Sequence, residues 1–555
     1  MSTPTPALVT QRAAQRLPRL ALWLFCIAYV VPGFVARDPW RNADLTAYAY
    51  MGALADGRTS WFAPSLGGLA GDSALLPYWL GAAFIRLAPA WIEPAFAARL
   101  PFLLLLTLTL VCTWYSTYHL ARTPAAQPLR FAFGGEASPV DYARAVADGA
   151  VLALIGTLGL LQLGHETTPE LAQLASVAVF MYGLAAASDG AVRARLAAAL
   201  ALPVLAASGA PAVALMLSAA AALICARSAE APMRRLAPYM LAGGALAALT
   251  GWLLGAWAWR LDAPTSIDDG RTVVRLLAWF VWPSGPLAAW TLWRWRRQLL
   301  RRHIAIPLAC VAVAVVASIG MGGADRALML GLPAFAVLAA FALPTLHRST
   351  AAAIDWFSVF FFSLCALVIW VVYVSMQSGL PSQPLANVMR LAPGYVPAFS
   401  PLALALACLA TLAWVGLVAW RTGRHRHALW KSMVLPAGGV ALCWLLLMSL
   451  WLPLLDYARS DRPLVAGLAQ HLDTEGCVAM PGAQRSRVAA LEQLGSYTVD
   501  ATHGAHQSAC RWLLVQERRD ADPAHQPGWQ FVGRAGRPTE HREVTSIYRR
   551  AEGRP

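Results

Sequence analysis

The sequence predicts a polytopic α-helical membrane protein with about thirteen transmembrane helices and a C-terminal extracytoplasmic α/β domain. Of its 555 residues, 58% are hydrophobic and only 13% are charged, and the mean hydropathy is +0.52. One soluble core could not bury so much apolar surface. Apolar segments recur as far as Leu455, where the composition changes to Arg, Asp, Glu, His and Gln. We therefore predict a membrane domain over residues 1–455 and a soluble domain over residues 456–555.

The predicted spans are apolar segments of roughly 17 to 25 residues, with two shorter ones, and this length suits a hydrocarbon core about 30 Å thick. They lie near residues 20–36, 99–121, 146–164, 171–188, 196–208, 211–227, 237–258, 273–293, 304–321, 327–346, 355–376, 400–420 and 433–453. The first span follows basic residues, as a signal peptide does, but no convincing cleavage site follows it, so we expect a retained anchor.

The basic residues fall in alternate loops between these spans. Arg12, Arg16 and Arg19 precede the first span, and a further group follows at 294–302. By the positive-inside rule these loops are cytoplasmic, so the odd number of spans places the C-terminal domain outside the cytoplasm. The net charge of +15 thus reflects topology, and we expect no nucleic-acid partner.

Two outer segments carry enough apolar residues to lie on the membrane. The first outer loop, 37–97, contains Trp61, Trp79, Trp91 and the amphipathic run 77–87, which predict short interfacial helices. The segment 377–399 is rich in Pro and Gly, and its spaced apolar residues could cover a cavity as a lid.

The C-terminal residues alternate between short apolar and polar runs, which predicts an α/β unit. Strands are expected at 477–480, 496–499, 512–516, 529–533 and 546–549, with a helix over 463–472. Of the nine cysteines, only Cys477 and Cys510 lie in this domain. Two lone cysteines outside the cytoplasm would most simply form a disulfide with each other.

Ionisable residues at the membrane edge are costly, and the first outer loop opens with several of them. The chain there reads Arg37, Asp38, Pro39, Trp40, Arg41, Asn42, Ala43, Asp44, Leu45, Thr46, Ala47 and Tyr48. Trp61 and Pro64 follow, and then a stretch from Asp72 that ends in Pro77, Tyr78 and Trp79. Arg99, Leu100 and Pro101 lead into the second span.

These motifs resemble the GT-C class of polytopic glycosyltransferases, in particular the lipid A aminoarabinose transferase and its protein O-mannosyltransferase relatives. The resemblance extends over most of the chain. It departs from the family in two places, because Leu45 stands where a second acidic residue is usual and the stretch after Asp72 lacks the usual lysine. We therefore expect a divergent member with its own donor or acceptor.

The resemblance implies sugar transfer from a polyprenyl-phosphate donor, with membrane lipids as further partners. Such a transfer needs a carboxylate to deprotonate or orient the acceptor hydroxyl, and cations to hold the phosphate. Asp44 is the predicted base. Residues predicted to bind substrate are Arg37, Tyr48, Asp72, Arg271, Arg326 and Arg390, and Arg260 is a further candidate for the phosphate.

The second outer loop supplies more candidates. Glu170 is the better match to the second carboxylate of the family, and Glu166 is close behind. His165 and Glu166 could instead bind a divalent metal cation, although one histidine with two carboxylates is a sparse ligand set. We expect no other cofactor.

Two other readings remain open. A transporter or flippase of a lipid-linked envelope precursor would also need many helices and charged residues near the membrane. The acidic candidates fall at outer-loop positions, however, whereas transporters tend to place polar groups at mid-span. The third reading is a catalytically degenerate homologue, in which Asp44 could be replaced without consequence. The sugar is not determined, and the acceptor could be a lipid, a glycan or a protein.

Overall fold

The computed structural model describes residues 5–71, 73–187, 192–257, 266–423, 428–473 and 476–551. The chain forms two compact units: the first contains Met1–Phe34, Phe102–Leu367 and Leu404–Ser449, and the second contains Val35–Pro101, Val368–Ala403 and Leu450–Pro555. These units differ from the two domains expected from the sequence. The difference arises because the first outer loop and the segment 368–403 belong to the same unit as the C-terminal residues.

The fold is mostly helical. The helices, in chain order, are α1 (Arg19–Val30), α2 (Ala43–Ala55), α3 (Leu75–Leu87), α4 (Pro94–Ala121), α5 (Pro139–Ile155), α6 (Leu160–Leu163), α7 (Pro169–Ala186), α8 (Val192–Ala207), α9 (Pro211–Ala226), α10 (Ala231–Arg234), α11 (Ala237–Leu253), α12 (Ile267–Phe280), α13 (Ser284–Arg294), α14 (Arg302–Gly320), α15 (Asp325–Met329), α16 (Leu332–Ala342), α17 (Arg348–Ser378), α18 (Ser382–Leu391), α19 (Pro401–Thr422), α20 (Lys431–Leu450), α21 (Leu452–Arg459), α22 (Arg462–Ala469) and α23 (Arg485–Leu494). The strands are β1 (Ser65–Leu66), β2 (Leu69–Ala70), β3 (Cys477–Ala479), β4 (Thr498–Asp500), β5 (Trp512–Arg518), β6 (Trp529–Ala535) and β7 (Glu543–Arg550).

Many of these helices are long and apolar, so the chain is a multi-pass membrane protein. Within the described residues, seven helical segments are long and apolar enough to cross a bilayer, and four shorter apolar helices accompany them. The count of about thirteen spans stays a prediction. One predicted span, 273–293, is two helices, because α12 ends at Phe280 and α13 begins at Ser284, after Pro283.

The core of the first unit is built around α16, whose residues are all buried. Neighbouring helices approach closely where small residues face each other. A Cβ atom at Gly183 of α7 would lie 2.5 Å from the backbone nitrogen of Ala198 in α8. Small residues let membrane helices pack backbone to backbone in this way.

The second unit joins the first outer loop to the C-terminal residues. Its five-stranded sheet has the order β4-β3-β5-β7-β6, with β3 parallel to β4 and β5, and β7 antiparallel to β5 and β6. The five predicted strands and the predicted helix are confirmed. Helix α23, which the sequence did not predict, packs against α2, and the Glu492 carboxylate of α23 accepts a hydrogen bond of 2.8 Å from the Gly67 amide.

Cys477 and Cys510, predicted to pair, form a disulfide with their Cα atoms 4.8 Å apart. The bond closes a loop across 33 positions of sequence. Replacing both cysteines by serine should lower the free energy of unfolding of this domain by about 3–4 kcal/mol, because the unfolded chain regains the entropy of the open loop. Thermal unfolding of the purified protein measures the change, with Cys408→Ser, an exposed free cysteine, as the control. Equal melting temperatures in the two variants would contradict the prediction.

Candidate functional site

The start of α2 places Asp44 in a buried ion pair. One carboxylate oxygen of Asp44 lies 3.0 Å from a guanidinium nitrogen of Arg37, and each side chain is only 1% exposed. The same oxygen accepts a hydrogen bond of 3.0 Å from the backbone amide of Trp40. Asp44 stands in the first turn of its helix, where the unpaired amides favour a negative charge. The residue on which the sequence prediction centred is therefore held in one position.

Trp40 connects this ion pair to α21. The guanidinium carbon of Arg37 lies 4.5 Å from the centre of the Trp40 ring, and that of Arg459 lies 4.7 Å from it. The indole N–H donates a hydrogen bond of 2.8 Å to the Asp456 carboxylate, which also accepts one of 3.3 Å from the amide of Asp38. The indole thus contacts the guanidinium groups of Arg37 and Arg459 and the carboxylate of Asp456, close to Asp44.

Arg99, near the start of α4, is the functional candidate that sequence reasoning missed. Its side chain is buried and donates one hydrogen bond to the backbone oxygen of Arg37. A second guanidinium nitrogen is buried and has no hydrogen-bond partner among the described residues. Arg99 appeared in the sequence only as part of a motif. A cation two residues before Pro101, at the entry to a predicted span, was the available signal.

Burial raises the pKa of Asp456 to about 6, although the hydrogen bond from Trp40 opposes the increase. An acid whose pKa is higher in the folded protein makes folding less favourable as the pH rises from the unfolded pKa, near 4, to the folded one. Asparagine keeps the acceptor oxygen but carries no charge. The free energy of unfolding of Asp456→Asn, measured relative to that of wild type, should therefore increase by about 1–3 kcal/mol as the pH rises from about 4.5 to about 7.5.

Thermal unfolding of wild type and Asp456→Asn at both pH values measures this gain. The exposed Asp520→Asn serves as the control, since its carboxylate is 79% exposed. A difference between Asp456→Asn and wild type that does not change with pH would contradict the assignment of the raised pKa to this carboxyl.

An apolar cavity of about 460 Å³ lies beside this cluster, within the second unit. It is lined by residues of α17, α18 and α21, including Val388, Leu391 and Leu455. The Tyr457 hydroxyl donates a hydrogen bond of 2.6 Å to the carbonyl of Pro393, which fixes the segment after α18 against α21. Helix α18, within the segment 377–399 expected to be a lid, therefore lines a cavity that reaches Leu455, the residue next to Asp456.

A separate charge cluster lies in the first unit, where α15 faces the start of α7. One guanidinium nitrogen of Arg326 lies 2.5 Å from Glu166, and another lies 3.4 Å from Glu170 and 3.1 Å from the Thr168 hydroxyl. Burial lowers the pKa of Arg326, but the carboxylates of Glu170 and Glu166 outweigh it and raise this pKa above its usual value. The structure thus brings together three residues that the sequence proposed singly.

His165 does not join Glu166 in a shared site. Its two ring nitrogens lie 2.7 Å from the carbonyl oxygen of Leu161 and 2.9 Å from that of Tyr29. The ring packs against Trp444, with 4.7 Å between the ring centres. Among the described residues, no group of three His, Cys, Asp or Glu side chains could hold a metal ion. The divalent cation stays a prediction.

The remaining candidates lie in different environments. Tyr48 is buried one turn after Asp44 and hydrogen-bonds to Gln493 of α23. Arg271 is 79% exposed and pairs with Asp268 in its own helix. Arg390 is exposed at the end of α18 and makes a long contact of 3.4 Å with Asn387. Asp72 and Arg260 lie outside the described residues.

Comparison with solved structures identifies a similar fold. A crystal structure of ArnT from Cupriavidus metallidurans bound to undecaprenyl phosphate matches with a TM-score of 0.61 and 13% identity, covering 96% of this chain and 98% of that one. The apo crystal structure of the same ArnT matches with a TM-score of 0.60 and 15% identity, covering 95% and 97% of the two chains. This chain has the fold of ArnT. The resemblance inferred from the loop motifs is confirmed at the level of the fold.

The match to ArnT is one of structure. No protein-family model matches the sequence, and no curated protein matches it either. The similarity to ArnT includes both the membrane helices and the C-terminal sheet, because it extends over nearly the whole of both chains.

Proposed function

We propose that this protein is a glycosyltransferase that moves a sugar from a polyprenyl-phosphate donor to an acceptor at the periplasmic face of a bacterial inner membrane. The observation that carries the proposal is the buried Arg37–Asp44 pair beside Arg99. It combines a carboxylate with cations at a loop that follows the first apolar helix. The undecaprenyl phosphate bound to ArnT, which has the same fold, supports the choice of donor.

The donor phosphate is assigned to Arg37 and Arg99. Negative charge develops on the phosphate as the glycosidic bond breaks, and guanidinium groups stabilise it through paired N–H donors. Arg99 forms no ion pair with a described carboxylate, and one of its buried nitrogens has no hydrogen-bond partner there. An arriving phosphate would supply that partner. The apolar cavity under α18 has the right chemistry for the isoprenoid chain.

Asp44 is assigned to the acceptor. A carboxylate fixed by Arg37 and by the Trp40 amide can accept the hydrogen bond of an acceptor hydroxyl and orient it for attack on the anomeric carbon. Asp456 is a second carboxylate in the same cluster, and its pKa of about 6 suits proton transfer near neutral pH. Transfer rates of Asp44→Asn and Asp456→Asn, measured side by side, therefore separate the roles of the two carboxylates.

Glu166, Glu170 and Arg326 are proposed as a second functional group. Arg326 is shared between the two carboxylates and is partly exposed, at 26% of its side chain. A polar group of a substrate could therefore replace either glutamate at the guanidinium. A divalent cation, if the reaction uses one, would have to displace Arg326 from these same carboxylates.

The proposal is tested by reconstituting the purified protein in lipid vesicles with polyprenyl-phosphate donors that carry radiolabelled sugars, and with a panel of lipid, glycan and peptide acceptors. We expect labelled acceptor from wild type and less from Glu166→Gln and Glu170→Gln. Assays with and without a chelator test the cation. Movement of intact donor between leaflets without cleavage would support the flippase reading instead. If the protein transfers sugar to none of the acceptors and the donor does not cross the membrane either, the proposed activity is overturned.

A further inference from the structure

A cavity of about 550 Å³ lies in the first compact unit, among α1, α4 and α5. Its lining residues belong to neither charge cluster described above. Three arginines line it, namely Arg16, Arg19 and Arg144, and most of the other lining residues are apolar or aromatic. We propose that this cavity binds an anionic glycerophospholipid, with the phosphate at the arginines and an acyl chain along the apolar wall.

The position of two of these arginines is set by a buried anchor. The backbone amide of Leu17 donates a hydrogen bond of 2.8 Å to the Asp148 carboxylate of α5. This bond holds the segment before α1 against α5, with Arg16 and Arg19 on either side of Leu17. Arg144 precedes Asp148 by one helical turn. The arginines therefore come from two elements that Asp148 joins.

Asp148 does not neutralise these arginines by direct pairing. One of its carboxylate oxygens accepts from Leu17, and the other accepts a hydrogen bond of 2.8 Å from the indole N–H of Trp114. Within the described residues, none of the three guanidinium groups forms an ion pair with a carboxylate. Asp141 and Asp148 attract Arg16 and Arg144 without a direct ion pair, so the direct contact with these guanidinium groups is left for a phosphate.

The wall beside the arginines is apolar and reaches the outer surface of the unit. Trp114 stacks on Tyr118, with ring centres 5.3 Å apart and planes at 10°. Trp23 of α1 is 58% exposed and Tyr115 of α4 is 46% exposed. Exposed aromatic residues on membrane helices typically lie at the level of the lipid headgroups. A lipid could therefore enter from the bilayer with its phosphate at the depth of the arginines.

The chemistry favours an anionic lipid over a zwitterionic one, since the amine of phosphatidylethanolamine would be repelled by the same guanidinium groups. The predicted topology places Arg16 and Arg19 on the cytoplasmic side, and basic pockets between helices on that side suit anionic headgroups. The volume falls within the roughly 300–1,000 Å³ of typical ligand pockets, enough for a headgroup and part of an acyl chain. Cardiolipin and phosphatidylglycerol are the matching lipids.

Native mass spectrometry of the delipidated full chain tests the proposal with added cardiolipin, phosphatidylglycerol or phosphatidylethanolamine. The test variant is Arg16→Gln/Arg19→Gln/Arg144→Gln, and the matched control is Arg234→Gln/Arg235→Gln/Arg297→Gln, whose exposed arginines do not line the cavity. We expect wild type and control to prefer both anionic lipids, and the test variant to lose cardiolipin affinity by on the order of a hundredfold.

Equal cardiolipin binding by the test and control variants would overturn the proposal, and so would equal binding of phosphatidylethanolamine by wild type. Undecaprenyl phosphate is included as a competitor: tighter binding than cardiolipin at the arginines would reassign the cavity to the sugar donor. Arg144→Gln alone provides a second variant if the triple variant melts earlier than the control. It should still weaken cardiolipin binding severalfold, and unchanged binding would count against the site.

Discussion

Asp44→Asn should lower sugar transfer by about 10²–10⁴-fold, because the amide cannot take up the proton of the acceptor hydroxyl. The substitution also leaves the Arg37 guanidinium buried without its anionic partner. Breaking a buried pair typically costs about 3–5 kcal/mol, so a lower melting temperature is expected as well. Initial rates in vesicles, normalised to the folded fraction, separate the loss of activity from the loss of stability.

The matched control for this experiment is Asp56→Asn at the other end of α2. Asp56 is 53% exposed and pairs with Arg58, so the same chemical change there should leave transfer unchanged. The double variant Arg37→Gln/Asp44→Asn removes both charges and should regain stability without regaining transfer. A wild-type transfer rate in folded Asp44→Asn would refute the role of Asp44 at the acceptor hydroxyl. If only Asp456→Asn loses transfer, that role belongs to Asp456.

Arg99→Gln should lower activity without lowering stability, in contrast to Asp44→Asn, which should lower both. Removing a cation that stabilises the departing phosphate should lower transfer by about 10²–10³-fold. The melting temperature should stay equal to that of wild type or rise, because Arg99 is a buried cation with no described ion pair and with Arg37 nearby. Arg99→Lys should restore little activity, since lysine lacks the paired donors of a guanidinium.

The control for Arg99 is Arg58→Gln, which removes a cation that is 40% exposed and pairs with Asp56 and Glu492. Surface ion pairs contribute at most about 1 kcal/mol, so its stability and its transfer rate should both remain near wild type. A large fall in the melting temperature of Arg99→Gln, with normal transfer per folded molecule, would mark Arg99 as a structural residue.

The contact of Asp44 with Arg37 could be expected from the sequence, whereas the contacts of Arg99 and Asp456 could not. Asp44 and Arg37 were recognisable because they stand together at the membrane edge. Arg99 follows Arg37 by 62 positions, and Asp456 follows Asp38 by 418, so no local pattern linked them. Helix α23 escaped prediction because most of its residues are polar or small, and it forms where α2 covers its apolar side chains.

The sequence by itself determined the class of protein, the positions of the strands in the C-terminal domain and the two cysteines that pair. Those features depend on composition and on short-range periodicity, which are visible in the sequence before the fold is known. Only the tertiary structure decided which charges meet. It placed Arg37, Arg459 and Asp456 around Trp40, and Arg326 between Glu166 and Glu170, while leaving Arg271 and Arg390 exposed. Contacts between distant residues are set by how helices pack, and that packing depends on many side chains at once.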